Sequence, residues 1–394
     1  MTEKSEQRRV LALCMLLTPL IGLGFDLYTP SLPAITHYFH ISHFSANLTI
    51  ILYIAGFGIA QPLVGIVSDH VKRKQFLITA LTIYLLSATV SAWSPTITAL
   101  YCYRIINSIC ASSIAVVIKS LLVDHFTGTK LAKANNYFTM SWSLTPMIAP
   151  VIGGYFQHYY DWQFNFYFMG LCALLGLILS LFLLKINPSS HHKKILTLRS
   201  IFEKWKILSS DKLFIASVLI LSVENAILFI YYTVSPFIIQ ESLHYNAAQY
   251  GQIMLFAGLS YVIGNVINHR LLNYFDVKKI IHAGLVASLI IILLAILFMH
   301  SLHNAPMNIY IITIPIFILF MCDGLIFSNV ATCILPRYTQ FSGTAGGLLA
   351  GLLNIFAALI VAFSTHFFDL HDVSTLDWTY LILIVLSLFI FIFL

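Results

Sequence analysis

Apolar residues in this chain come in long unbroken runs separated by short polar gaps. Twelve runs can be marked, near 10–35, 44–68, 75–93, 96–123, 131–158, 162–185, 213–240, 247–269, 280–300, 307–332, 343–367 and 376–394. Each has roughly 20 residues or more, enough for a helix to cross about 30 Å of hydrocarbon. Strand-type alternation is missing, and a helix satisfies its own backbone in lipid. The pattern predicts an all-α polytopic membrane protein of twelve transmembrane helices. The first run is too long for a cleaved leader and carries Asp26, Pro30 and Pro33.

One gap is longer than the rest. Residues 186–212 separate six runs from six, which predicts bundles over 1–185 and 213–394 joined by a linker. Within the linker, Ile201, Phe202, Trp205 and Leu208 fall on one helical face, with Arg199, Lys204 and Lys206 among the polar positions. A short amphipathic helix at the membrane surface is expected there. His191-His192, in the same stretch, reads as solvated loop rather than as a metal site. The halves also resemble each other. Gly65, Asp69 and the bases Lys72, Arg73 and Lys74 close the second run; Gly264, Asn268 and Arg270 close the eighth. A six-plus-six pseudo-repeat with its site near the midplane is a transporter architecture.

Charge orients the chain. Of 394 residues only 9% are charged and 59% are hydrophobic. Basic residues between runs fall in alternate gaps, at Lys72 to Lys74, Lys130 and Lys133, Lys185 to Lys212, Arg270 to Lys279, and Arg337. With Lys4, Arg8 and Arg9 they predict both chain ends in the cytoplasm. The net charge of +6 is then orientation and lipid contact, not a nucleic-acid surface. Six cysteines lie within runs with no CxxC pair, so packed free thiols and no metal site or cofactor are expected. Neither HExxH nor a Ser-His-acid set is present, which argues against an intramembrane enzyme.

Five charges lie inside runs and away from their ends: Asp26, Arg104, Lys119, Glu224 and Asp323. A charge at mid-bilayer costs a few kcal/mol at least, so each must face a cavity or a partner. Asp26 sits among Gly22, Gly24 and Pro30, which loosen a helix. Arg104 keeps its proton and needs a carboxylate or a substrate anion; a pair with Asp26 is expected. Lys119 either snorkels to the interface or lines the cavity, where it would favour anions. Glu224 and Asp323 either contact substrate or pair helices. Pro146, Pro150, Gly153 and Gly154 mark a bent helix that others can approach closely. Most aromatics are expected at lipid or the interfaces, Trp93, Trp162 and Trp378 among them, with Tyr28, Tyr53, Tyr137, Trp142 and Tyr231 as cavity candidates.

Several strings resemble the major facilitator superfamily, and within it the drug:proton antiporters of the Bcr/CflA type. GIVSDHVKRKQFL (65–77) is similar to the loop signature G-x-L-x-D-x-x-G-R-K-x-x-L. APVIGGY (149–155) resembles the antiporter signature of the fifth span. FDLYTPSLPAI (25–35), YYTVSPFIIQ (231–240) and GTAGGLLAG (343–351) are similar to the first, seventh and eleventh spans of the subfamily. Lys72 departs from the usual Gly of the loop signature, Ala149 from the first Gly of the fifth-span motif, and Asn107-Ser108 from a common Gln-Gly in the fourth span. The resemblance implies Asp26 as proton and substrate acid and Arg104 as its modulator. It implies that Asp69 faces the start of the eleventh span near Gly343-Thr344, that Arg73 pairs with Asp124, and that Pro150, Gly153 and Gly154 seal the opposite side.

The expected protein is a monomeric carrier of the bacterial inner membrane, working by alternating access with protons, a small-molecule substrate and lipid as partners. Its expected activity is proton-driven efflux of small amphipathic or drug-like compounds. Import of a metabolite or amino acid by proton symport, and export of a siderophore-like anion, are the alternatives.

Overall fold

A computed structural model describes residues 3–184, 198–301, 308–334, 337–338, 342–368 and 374–394. Linker residues 185–197, His191-His192 included, lie outside them. The described residues form fourteen α-helices and no strand: α1 Glu3–Asp26, α2 Leu32–Phe39, α3 His43–His70, α4 Arg73–Ser91, α5 Ile97–His125, α6 Gly128–Tyr159, α7 Gln163–Leu183, α8 Leu198–Ser210, α9 Lys212–Phe237, α10 Ala247–Leu271, α11 Val277–Ser301, α12 Ile309–Ile334, α13 Ser342–His366 and α14 Ser374–Phe391. Short polar residues set the starts. Ser42 Oγ accepts the Ser45 amide at 3.2 Å, and Thr96 Oγ1 the Ala99 amide at 3.2 Å. Asn246 and Gln249 make a reciprocal capping box, both bonds 2.9 Å. His40, left-handed at φ 54°, ends α2.

Eleven helical stretches are long and apolar enough to span a membrane, α1 and α2 counting as one from Ser5 to Phe39. The remaining run, on α6, is 32 residues long but dilutes its apolar residues with Lys130, Lys133, Asn135, Asn136 and several hydroxyls. It packs against α1 and α10, while Lys130, Lys133, Asn135 and Asn136 are exposed.

The helices before and after α8 pack in the same order. In the first half α1 meets α5, α6 and α7, α3 meets α5, and α4 meets α5 and α7. In the second, α9 meets α12, α13 and α14, α10 meets α12, and α11 meets α12 and α14. The halves join along α3 with α13 and α6 with α10, two seams that exchange under the repeat. Between them, α8 buries Leu208 and half-buries Trp205 against the second half, while Phe202 and Ile207 stay exposed. The side chain of Ile201 lies outside the described residues. The apolar face expected on the membrane surface is thus divided between protein and surroundings.

The seams close at one end only. Toward the end away from the termini, a methyl group on Gly154 would overlap the Ala247 carbonyl, and one on Gly258 would lie 2.7 Å from Met147 Cα. Toward the end carrying the termini, methyl groups on Gly65, Gly343, Gly346 or Gly347 would meet nothing within 4 Å. At these glycines the seams are tight toward the far end, here the shut end, and looser in the last turns beside the chain termini, here the parted end, while Gly351 of α13 still abuts Gly58 and Pro62 of α3.

Asp211 anchors the second half. Its Oδ1 accepts the Leu213 amide at 2.9 Å, and the Tyr338 hydroxyl donates to Oδ2. The Tyr338 bond first, and the backbone amides after it, hold the Asp211 carboxyl below its ordinary range. Replacing an N-cap residue with alanine typically costs about 1 kcal/mol. Asp211→Ala should therefore lower the thermal unfolding midpoint in detergent at neutral pH. A depressed carboxyl stabilises only while ionised, so the gap between variant and parent should close as pH falls through and below the ordinary aspartate value of about 3.9. A gap that persists unchanged at low pH would remove the charge from this account.

Candidate substrate and proton site

The first span is broken where its acid sits. α1 ends at Asp26, a 3-10 turn covers Thr29–Ser31, and α2 follows. Pro30 supplies no amide, and Thr29 Oγ1 turns back to the Asp26 carbonyl at 2.9 Å. Carbonyls in the last turn of α1 therefore lack helical donors, and Arg104 of α5 takes one. Its Nη2 donates to the Gly24 carbonyl and its Nε to the Thr49 carbonyl at 3.3 Å. The guanidinium carbon stands 4.4 Å from the Tyr28 ring centre and 4.2 Å from that of Tyr53. Gly24 is required here, because a β-carbon would overlap the Tyr53 hydroxyl.

The expected pair of Arg104 with Asp26 is therefore not formed. Arg104 is fully buried, yet two carbonyls and two aromatic faces hold its charge, and Nη1 has no hydrogen-bond partner among the described residues. A desolvated cation over an aromatic face gains about 2 kcal/mol, which makes the Tyr28 and Tyr53 faces an alternative to a carboxylate. Those two tyrosines serve the arginine rather than a cavity wall. Tyr231 is likewise fully buried, against Phe320. Trp162, expected at an interface, is buried beneath Tyr38 and Phe39, while Trp93 and Trp378 are exposed.

Asp26 is buried near the joint between the halves. It is 3% exposed, and no hydrogen bond or ion pair reaches its carboxyl among the described residues. It lies close enough to Tyr232 of α9 and Tyr250 of α10 to act on both electrostatically. Its neighbour Phe25 packs on Phe229 of α9 with ring centres 5.5 Å apart. The first half thus offers an unpaired buried acid to the second.

The other intramembrane charges lie apart from this point. Glu224 accepts from Ser387 Oγ of α14 at 3.1 Å. Asp323 on α12 is 1% exposed, with both carboxyl oxygens unpartnered among the described residues. Lys119 is exposed on α5. At the parted end, Arg73 Nε and Asp124 Oδ2 pair at 2.8 Å, joining the ends of α5 and α4. The side chain of Asp69, one turn before Arg73, lies outside the described residues.

At the shut end the fifth-span motif works through main chain. A β-carbon on Gly153 would overlap the Leu27 carbonyl in the break of the first span, and Gly251 abuts the Pro150 carbonyl. Further contacts there were not foreseen from sequence. Gln240 Nε2 donates to the Pro30 carbonyl at 2.9 Å. Glu241 lies 3.1 Å from His43 Nε2 and 3.9 Å from His37 Nε2, ion pairs when the rings are protonated. The available signal was an acid at the end of the seventh run facing a histidine-rich gap after the first.

Buried charge at a joint that is shut on one side and parted on the other serves passage rather than bond chemistry. The chain is an integral membrane transporter for a small-molecule substrate, not an enzyme. It belongs to the Major Facilitator Superfamily, whose sequence model matches residues 14–362. It is similar to a transporter of Rickettsia bellii, 26% identical over 344 residues, covering 85% of this chain and 84% of that protein. It is also similar to the multidrug resistance protein MdtL of a Shewanella species, 26% identical over 275 residues, covering 69% and 68%. Among solved structures, a D-xylose-proton symporter has the same fold, with TM-score 0.75 at 14% identity over 97% of this chain and 96% of that one.

Two outcomes test this geometry. Gly24→Ala should push the Tyr53 ring off Arg104 and cost about 1–3 kcal/mol, the usual range for an overpacked site, read as a lower unfolding midpoint; an unshifted midpoint contradicts the clamp. Glu241→Gln should loosen the shut end, read as faster amide hydrogen exchange in peptides spanning 29–44 and 237–250 but not in those from α11. Equal exchange in parent and variant would show that Glu241 does not hold the halves together.

Proposed function

We propose that this transporter exports small lipophilic or amphipathic compounds in exchange for protons, with Asp26 as the group that takes substrate and proton in turn. The observation that carries the reading is Asp26 itself: a buried carboxyl, without a partner among the described residues, at the break of the first span and facing α9 and α10. A carboxylate can hold one proton or one cationic group, not both, so the two ligands exclude each other. Arg104 keeps its charge on carbonyls and rings, which leaves Asp26 free to titrate. Tyr232 and Tyr250 offer aromatic surface to a cation or a flat molecule. Similarity to a multidrug resistance protein over two thirds of the chain supports export of such compounds.

Alternate gaps rich in Lys and Arg support a bacterial plasma membrane orientation with both chain ends in the cytoplasm. In that orientation the parted end faces the cytoplasm, and the conformer is ready to receive cargo from inside. A monomer suffices, because both halves of the joint come from one chain. No cofactor takes part; the proton gradient is the energy source.

The test uses purified protein in liposomes with an imposed pH gradient and two probes, ethidium and tetraphenylphosphonium. Parent protein should move at least one probe against its gradient and collapse the pH difference faster when probe is present. Asp26→Asn should insert and unfold at a similar temperature yet lose gradient-driven movement by at least about tenfold, the scale of 1.4 kcal/mol in coupling. An Asn variant that transports like the parent would end the assignment. Probe movement in the same direction as protons would favour symport.

A further inference from the structure

The shut end is poor in fixed positive charge. The gaps between apolar runs at this end hold histidines but not one Lys or Arg. An acid there has only histidine for a cationic partner. Histidine is the side chain whose charge ordinarily changes between about pH 5 and 8, so every ion pair at this end is conditional. Arg73, in the pair at the opposite end, keeps its proton.

Glu241 is such an acid, and its partners belong to the other half. It lies in the turn of Ile238–Ser242 that follows α9. Its Oε2 is 3.1 Å from Nε2 of His43, which opens α3, and its Oε1 is 3.9 Å from Nε2 of His37 on α2. Oε1 is buried and has no hydrogen bond among the described residues, so a protonated His37 can still gain it by a small shift. Phe237 holds the His43 ring, with centres 4.4 Å apart. The side chains of Glu241, His43 and His37 are 27%, 41% and 79% exposed. His43 is thus the firmer partner, and water on this side reaches all three groups.

Neighbouring elements supply no competing ion. His40 ends α2 and His244 follows the turn; neither joins an ion pair among the described residues. From α13 the His366 ring packs on Phe44 at 4.9 Å, and from α5 Tyr101 donates to the Ser45 carbonyl at 2.6 Å. α10 begins with the uncharged Asn246–Gln249 box. Asp161, the other acid near α2, shares a hollow with Tyr38.

We infer that His37, His43 and Glu241 form a pH-sensitive latch across the joint. With the rings protonated and the carboxylate ionised, the second half is tied to the first and the passage stays closed at this end. As pH rises through about 6.5, ordinary for histidine, the attraction falls to a hydrogen bond at His43 and the end parts more readily. As pH falls through about 4.3, ordinary for glutamate, the tie weakens again. The latch answers to the pH on the side that the shut end faces, and it stands whether or not Asp26 couples transport.

Hydrogen exchange on the purified full chain tests the latch, with labelling times scaled for the intrinsic pH dependence of amide exchange. Peptides spanning 29–44 and 237–250 should exchange about two- to fivefold faster at about pH 7.5 than at about pH 5.5, the range set by a half-exposed ion pair. Peptides of α11 should not change. Asp26→Asn should keep the dependence, which separates the latch from the coupling acid. The double variant His37→Gln/His43→Gln should exchange fast at both pH values, and His37→Gln/His43→Arg slowly at both. Either double variant decides if the other does not fold. A parent protein without the dependence overturns the inference, as does its loss in Asp26→Asn or its survival in either folded double variant. An arginine variant as fast as the glutamine one does so too.

Discussion

A guanidinium that cannot give up its proton is buried in the first half, and no carboxylate balances it. Much else follows from how its charge is met. Two backbone carbonyls and two aromatic faces do so, and one of those carbonyls is free because the first span breaks after Asp26. Asp26 itself stands at the break, and no ion pair joins it to the arginine among the described residues. Were Arg104 to claim Asp26, the acid would be locked as half of an internal pair. By binding main chain, the arginine stays charged and leaves the acid available.

The same break shapes the joint between the halves. Pro30 in the 3-10 turn receives Gln240 from the turn that follows α9, and Leu27 receives the close approach of Gly153. One interruption of one helix therefore brings together the acid, the arginine's acceptor and part of the shut end. A rearrangement that parts this end must disturb the segment that holds Asp26. Contacts of the shut end and of Arg104 thus converge on the residues between Gly24 and Ser31.

The sequence made much of this legible, for definite reasons. The all-α polytopic fold and the positions of the intramembrane charges follow from hydrophobic runs, and lipid leaves the chain few other solutions. The Arg73–Asp124 pair was legible through the resemblance of residues 65–77 to a known loop signature. The partners of Arg104 could not be read, because a backbone carbonyl has no letter of its own and Tyr28 and Tyr53 look like any other membrane tyrosines. Glu241 was passed over because its partners are histidines in a gap. α6 shows the limit of hydropathy: Lys130, Lys133 and its amides are exposed and dilute a helix that still packs along α1 and α10.

The seam at the shut end has a consequence for divergence. Gly154 against Ala247 and Gly251 against Pro150 touch backbone to backbone, so the α6–α10 part of this joint depends on how closely two backbones can approach. Most positions along these helices can therefore drift without altering how the halves meet, provided the few smallest residues stay in register. A chain sharing about a quarter of its residues with its relatives can keep one inherited moving part while the walls of its passage are rewritten for new cargo.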